Sequence, residues 1–374
     1  MEPEARLHIG ILGGGQLGRM LAVAGYPLGV SFSVLDPTPR ASASKVCRHI
    51  QAKYDDPNAL DELVHRCDVV TYEFENVPAD SLDRVADQRP VVPGMRPLEV
   101  SGDRLVEKEF FAGLGLDTAE ICEVDSAEDL RDAADELGLP LVVKTRQMGY
   151  DGKGQAWVEH WSQIGEAWEA VGERPSIAEA VVDYERELSV LGVRARDGTT
   201  RIYPIVENIH RDGILVESRA PATFDDPERA KTARGYVRAL LEELDYVGLL
   251  ALELFDTGDR LLANEFAPRV HNSGHWTIEG TETSQFENHI RAVAGFPLGS
   301  TEAVGHTRML NIIGGHPDRG ELLDQPAIHL HDYEKEPRPG RKIGHLTIRA
   351  ETPELAKRRA DEVRGLVEAS RDLG

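Results

Sequence analysis

Apolar residues in this chain recur in two rhythms, and the alternation between them lays out its elements. Short branched runs, Leu7 to Leu12, Ser31 to Leu35 and Asp68 to Glu73, read as buried parallel strands. Between them, segments such as Asn58 to His65 carry the spacing of amphipathic helices. Strands alternating with helices predict a doubly wound α/β domain over residues 1–103.

From Asp103 the pattern changes. Asp103 to Phe111 opens a helix, and Ser126 to Leu137 forms another, with Ser126 as N-cap and Asp129 at the capping-box position. Leu141 to Val143, following Gly138 and Pro140, reads as a buried strand that places Lys144 at its end. Ser176 to Val182 and Arg186 to Leu191 read as further strands. Leu249 to Phe255 and Arg260 to Phe266 flank a turn at Asp256-Thr257-Gly258-Asp259, which predicts a hairpin. Period-two alternation puts Leu250, Leu252 and Leu254 on one face, and Ala251, Glu253 and Phe255 on the other. Beyond Pro297, short strands among Gly/Pro turns lead to a charged helix, Pro353 to Ala369. The expected domains are 1–103, 104–296 in two lobes, and 297–374.

Composition narrows the function classes. No long apolar run interrupts the 374 residues, which excludes a membrane-spanning helix, and Met1-Glu2-Pro3-Glu4 lacks the features of a signal peptide. Cytoplasmic residence is expected. The net charge of −23, from 65 acidic and 42 basic residues, argues against a nucleic-acid partner. Cys47, Cys67 and Cys122 show no paired metal spacing and read as small buried hydrophobes.

Four stretches carry candidate chemistry. Gly13, Gly15 and Gly18 match Gly-x-Gly-x-x-Gly, and the next strand ends at Asp36, which suits either a dinucleotide or another anion at a helix N-terminus. Glu75 and Asn76 follow a strand's carboxyl end, where a substrate amine or hydroxyl would be met, whereas Glu73 reads as a solvated loop carboxylate. Lys144 with the loop Gly149-Tyr150-Asp151-Gly152-Lys153-Gly154-Gln155 suits a polyphosphate, because glycines let several N–H groups converge. It also fits an ordinary exposed turn. Pairing about Gly258 brings Glu253 near Asn264 and Glu265, a hard-oxygen set for magnesium or else an exposed face carrying acids. Arg269 and His271, in a Pro/Asn/Gly-containing loop, read as groups reaching a substrate beside that metal. Lys335, Arg338, Arg341 and Lys342 make a basic turn in an acidic chain, a focus for a small anion.

Several of these stretches together resemble the N5-carboxyaminoimidazole ribonucleotide synthase family of the ATP-grasp superfamily over essentially the whole length. The matching segments are residues 13–20, 72–77, 149–155, 264–276 and 338–346. The resemblance implies an α/β and α+β ATP-grasp fold of three domains, the first Rossmann-like, in a homodimer. It also implies an ATP-dependent carbon–nitrogen ligase of purine biosynthesis that uses bicarbonate to carboxylate 5-aminoimidazole ribonucleotide through carboxyphosphate. Arg104 and Lys144 would contact ATP phosphates under the 149–155 loop. Glu179, Ala180, Val181 and Val182 would meet adenine, Glu187 the ribose, and His210 would line the nucleotide site. Glu253 and Glu265, beside Asn264, would hold magnesium, two ions being expected. Tyr150 and Asp151 would lie near the reacting centre, with Arg269 steadying an anionic intermediate. Lys335, Arg341 and Lys342 would grip the ribonucleotide phosphate, helped by Gln16, Leu17 and nearby N–H groups. The rival readings are another ATP-grasp enzyme using formate or biotin, an NAD-dependent oxidoreductase, and a non-catalytic nucleotide-binding regulator.

Overall fold

A computed structural model describes residues 6–149, 154–224 and 226–370. Among them the strands assemble into three sheets. The first is parallel, in the order β3-β2-β1-β4, from β1 (His8–Leu12), β2 (Ser31–Leu35), β3 (Arg48–Ile50) and β4 (Val69–Tyr72). Helix α1 (Gln16–Gly25) covers one face, while α2 (Pro57–Arg66) and α3 (Ala79–Ala86) cover the other. Side-chain alternation decides which: Ile9, Ile11, Phe32 and Val34 cluster with Leu17 and Leu21 of α1, whereas Leu12, Leu35 and Tyr72 pack with Leu60, Leu63 and Leu82. This is the doubly wound arrangement that the alternating pattern predicts. Of the three cysteines only Cys67 is fully buried.

The turn from β1 into α1 corrects two expectations. Glu73 is not a solvated loop carboxylate: it is 8% exposed and accepts the N–H groups of Gly15 and Gly18, the latter at 2.5 Å. A Cβ at Gly13 would lie 2.3 Å from the Glu73 side chain, and Gly13 has φ of +104°, so both space and backbone require glycine there. Asp36 Oδ2 accepts the Gly14 N–H at 2.8 Å and the Tyr54 hydroxyl at 3.0 Å. The glycine fingerprint therefore serves the protein's own carboxylates. Glu73 occupies N–H groups that a dinucleotide's pyrophosphate would need, which counts against the oxidoreductase reading, although an acid at the position of Asp36 is itself compatible with a ribose. The N–H groups of Gly15 and Gly18, expected to help hold a sugar phosphate, are occupied by Glu73 instead.

Helix α4 (Arg96–Ser101) leads to α5 (Arg104–Gly113), whose N-cap Asp103 accepts the Leu105 N–H at 3.0 Å. The second sheet is antiparallel, in the order β5-β8-β6-β7, from β5 (Ile121–Val124), β6 (Leu141–Thr145), β7 (Gln155–Val158) and β8 (Ser176–Ala180). Helices α6 (Ala127–Leu137) and α7 (Ile164–Ala170) pack on it, burying Leu141 and Val143 and leaving Val142 and Lys144 to face a cleft. Ser126 caps α6 as expected. Asp129, shorter than glutamate, bonds back to Ser126 Oγ and the Asp125 N–H rather than to the cap's own N–H.

The third sheet is antiparallel and carries β9 (Arg186–Arg194), β10 (Thr200–Ile202), β11 (Val206–Arg211), β12 (Ile214–Ala220), β13 (Gly248–Asp256) and β14 (Leu261–Ala267). It continues through β15 (His306–Gly314), β16 (Ile328–Asp332) and β17 (Arg338–Ala350) in the order β14-β13-β9-β11-β12-β15-β17-β16, with β10 on β9. Leu250, Leu252 and Leu254 bury against Leu240 and Leu241 of α8 (Pro227–Glu243), as the alternation requires. Short helices α9 (Thr277–Gly280) and α11 (Arg319–Leu323) fill turns, α10 (Gln285–Ala294) packs on α1, and α12 (Pro353–Ala369) covers the C-terminal strands. Those strands are longer than expected, 9 residues in β15 and 13 in β17, because irregularities opposite Ile312 to Gly314 absorb the Pro339-Gly340 pair. Since β15 pairs with β12, one hydrogen-bonded ladder runs from β14 to β16.

Glu73→Ala would leave one buried and one partly buried N–H group without their acceptor, and the expected loss is about 1–3 kcal/mol of unfolding free energy. Urea denaturation checks this. Glu73→Gln, which keeps an acceptor, should lose less, and an unchanged midpoint in the alanine variant would exclude the grip.

Candidate active site

Two cavities of about 800 and 560 Å³ open between the sheets, and Arg104, Glu253, Glu265, His271, Asn272 and Lys342 line both. The larger one reaches the first sheet at Gln16, Leu17, Glu75 and Asn76, and the C-terminal strands at Lys335, Arg341 and Lys342. Arg269 and Gly149 also line it. The smaller one lies beneath the four-stranded antiparallel sheet, against Lys144, Gln155 and Glu179 to Val182, and extends to Glu187, His210 and Asn264. Gly154 lines neither cavity; it precedes β7 with φ of +71°, and its carbonyl accepts the Thr145 N–H at 2.8 Å. Tyr150, Asp151, Gly152 and Lys153 lie outside the described residues.

Strand register creates the junction between the cavities. Glu253 on β13 stands directly opposite Glu265 on β14, and the next pair is Leu254 with Ala263, which leaves Asn264 as the extra residue of a bulge. The bulge lets Asn264 and Glu265 both reach the cleft, although strict alternation would turn one away. Burial first, and then the charge of Glu265, raises the Glu253 carboxyl above its usual range. Burial would raise Glu265 too, but Arg104, with Nη1 2.9 Å from Oε2, outweighs it and holds that carboxyl low. His271 Nε2 lies 3.6 Å from Glu253 Oε1, yet burial keeps this imidazole well below its ordinary pKa, so it supplies no charge. Among the described residues no group of three or more His, Cys, Asp or Glu side chains is set to hold a metal unaided. Two adjacent carboxylates and an amide offer part of a hard-cation shell, which suits an ion shared with phosphate oxygens.

The opposite wall is cationic. Lys144 and Lys108 both bond Glu179, Lys108 at 3.1 Å. Burial would raise the Glu179 carboxyl, but the two ammonium groups hold it down at about 2. Lys108 is absent from the sequence expectations, although its position four residues after Arg104 on α5 puts both on one helix face. Glu107, also unexpected, lines the larger cavity, accepts the Phe266 N–H at 2.8 Å, and is raised to about 8 by burial and then by Glu265. Farther along the smaller cavity, Tyr184 stacks on Phe255 with ring centres 4.7 Å apart and donates to Glu187 at 2.8 Å. His210 Nδ1 lies 2.6 Å from Glu187 Oε2, and this pairing raises the imidazole despite its burial. In the larger cavity Arg269 meets Glu75 at 2.5 Å.

Comparison with known proteins agrees with this geometry. Residues 109–286 match the ATP-grasp domain, residues 7–102 the ribonucleotide synthetase preATP-grasp domain, and residues 307–359 the phosphoribosylaminoimidazole carboxylase C-terminal domain. An N5-carboxyaminoimidazole ribonucleotide synthase from Pseudomonas aeruginosa is 48% identical over 363 residues, covering 97% of this chain and 100% of the relative. The chain belongs to the N5-carboxyaminoimidazole ribonucleotide synthase family. The solved N5-carboxyaminoimidazole ribonucleotide synthetase of Thermus thermophilus is 49% identical and superposes with a TM-score of 0.92 over 96% of this chain and 98% of that one. The Aspergillus clavatus synthase, solved with ADP and 5-aminoimidazole ribonucleotide, is 32% identical with a TM-score of 0.90 over 97% and 99% of the two chains. The ATP-grasp fold and the family expected from the quoted segments are thus borne out.

Glu179 makes stability depend on acid. A carboxyl held at about 2 in the fold, against 4.5 ordinarily, contributes stability that is complete above pH 4.5 and is lost as the pH falls toward 2. The expected contribution is on the order of 3 kcal/mol. Unfolding free energy followed across that window should fall more steeply in the parent than in Glu179→Gln; parallel curves would show that the two lysines do not hold the charge.

Proposed function

We propose that the chain is an ATP-dependent carbon–nitrogen ligase that carboxylates 5-aminoimidazole ribonucleotide with bicarbonate. The products are N5-carboxyaminoimidazole ribonucleotide, ADP and phosphate, in purine biosynthesis. The observation that carries this reading is the junction: two cavities, one beside a lysine pair and one ending in a basic turn, meet at the Glu253–Glu265 pair. Membership of the family supports it, as does a neighbour solved with ADP and the aminoimidazole ribonucleotide.

In this reading the smaller cavity takes ATP. Adenine lies along Glu179, Ala180, Val181 and Val182 near the Tyr184–Phe255 stack, the ribose meets Glu187 beside His210, and Arg104 and Lys144 face the phosphates beneath the 149–155 loop. Glu253 and Glu265, with Asn264 beside them, would hold magnesium, two ions being expected. The bound metal supplies neutralisation of phosphate charge. The larger cavity takes the ribonucleotide, its phosphate at Lys335, Arg341 and Lys342 and the rest along Gln16, Leu17, Glu75, Asn76 and His271. A bicarbonate oxygen forms a bond to the γ-phosphorus while the bond to the β-bridging oxygen breaks, giving carboxyphosphate and ADP. The exocyclic amine nitrogen then bonds to the carboxyl carbon, directly or as released CO2; phosphate departs and the nitrogen gives up a proton. The protein's work is alignment and charge balance, since phosphoryl transfer asks little covalent chemistry of it. Arg269, held by Glu75, would face the anionic intermediate, and Tyr150 and Asp151, which lie outside the described residues, are assigned to the reacting centre by the resemblance. The division of labour follows segments 1–103, 104–296 and 297–374. The enzyme works as a cytoplasmic homodimer; no helix among the described residues is long and apolar enough to cross a membrane.

Phosphate release measured with each combination of ATP, bicarbonate and aminoimidazole ribonucleotide should reach its full rate only with all three; release indifferent to the ribonucleotide would overturn the assignment. Lys342→Ala should raise KM for the ribonucleotide far more than KM for ATP, and a selective ATP defect would contradict the pocket. Glu265→Gln should lower magnesium-dependent turnover by about a hundredfold or more. Near-normal turnover in that variant would show that the metal lies elsewhere.

A further inference from the structure

Immediately before Lys335 stands Glu334, in left-handed backbone with φ of +56°, a conformation that a residue with a Cβ keeps only when its surroundings hold it there. Its carboxylate reaches across to the first domain, where Arg19 of α1 lies 3.0 Å away and Lys45 also pairs with it. Its own N–H donates to Asp332 Oδ1 at 2.6 Å. The preceding residue is fixed as firmly: the Tyr333 carbonyl accepts the buried Ser42 hydroxyl at 2.8 Å, its N–H donates to the Ile343 carbonyl at 2.9 Å, and its hydroxyl lies 2.7 Å from His345 Nδ1. Lys335 comes next, lining the larger cavity with its ammonium 6.0 Å from the Tyr333 ring centre.

Ion pairs this exposed add little to stability one by one. Their geometric consequence is larger. One carboxylate bridges two cations on separate elements of the first domain, and the bridge sits at the place where the C-terminal basic turn meets Gln16 and Glu73 across the cavity.

We propose that Glu334 is a positioning residue for ribonucleotide binding: by clamping the 333–335 segment to Arg19 and Lys45, it sets the placement of Lys335 in the substrate cavity. The proposal rests on the ribonucleotide assignment made above for that cavity. Glu334 lines neither cavity, so the clamp acts on substrate affinity through Lys335 and leaves the nucleotide site alone.

Steady-state kinetics of Glu334→Ala, Glu334→Gly and the double variant Arg19→Ala/Lys45→Ala test it. Each should raise KM for aminoimidazole ribonucleotide about tenfold, with kcat and KM for ATP within about twofold of the parent. The glycine variant relaxes the left-handed backbone, so its sharing of the defect would assign the effect to the lost ion pairs. Combining Glu334→Ala with the double variant should add no further defect, because the same two ion pairs are removed either way. An unchanged KM for the ribonucleotide, an equal rise in both KM values, or additive defects would each overturn the clamp. Failure of the underlying assignment would appear separately, as phosphate release by the parent enzyme that does not require the ribonucleotide.

Discussion

Two like charges that a strand register will not let separate govern this cleft. Glu253 and Glu265 face each other across β13 and β14, and like charges directly opposite in a sheet are unfavourable. Arg104 compensates one of them. The other keeps a carboxyl raised by burial and by its neighbour, and a cation entering between them would relieve that repulsion. Affinity for such an ion, on the proposed reading, would draw on a tension already present in the folded chain.

On the far side of the smaller cavity the balance is reversed, with two ammonium groups sharing the single carboxylate of Glu179. The cleft thus has an acid pair on the large sheet and, across it, Lys144 on the four-stranded antiparallel sheet, tied to a Glu179 that it shares with the buried Lys108 of α5. A metal-bound triphosphate presents both signs of charge at once, and would meet the acid pair on one side and Lys144 on the other. A bare phosphate would meet repulsion from the acids, and a bare metal would find an incomplete shell. The pairing of Lys108 with Lys144 also means that the excess positive charge does not belong to one side chain, because each lysine helps set how firmly the other is tied to Glu179.

Local pattern was enough for most elements. Leu250, Leu252 and Leu254 point to the α8 side as alternation demands, and Pro353 to Ala369 is the helix its spacing predicts. What escaped sequence reading depends on contacts between distant residues. Glu73 follows a strand in the manner of an exposed loop acid, and only the fold brings the N–H groups of Gly15 and Gly18 to it. The same three glycines were open to a dinucleotide or phosphate reading because the motif records where backbone must come close to an anion and not which anion it is. Asn264 and Glu265 could be placed near Glu253 from the turn, but the bulge that aims both at the cleft is a register detail that composition does not reveal. Lys108 was legible in principle from its spacing to Arg104, yet its burial against Glu179, 71 positions away, was not. The length of β17 was missed because Pro339 and Gly340 are ordinarily strand breakers, and here irregular pairing accommodates them.

The unbroken ladder from β14 to β16 has a bearing on selectivity. Because the acid pair and Lys342 belong to strands of one hydrogen-bonded sheet, with Arg341 in the irregular stretch beside Lys342, the span between them is set by strand pairing rather than by a linker between separate sheets. On the cavity assignment proposed above, a sugar phosphate whose reactive nitrogen lies too near or too far from its phosphorus would find no hinge at that seam, and would be sized by the sheet itself.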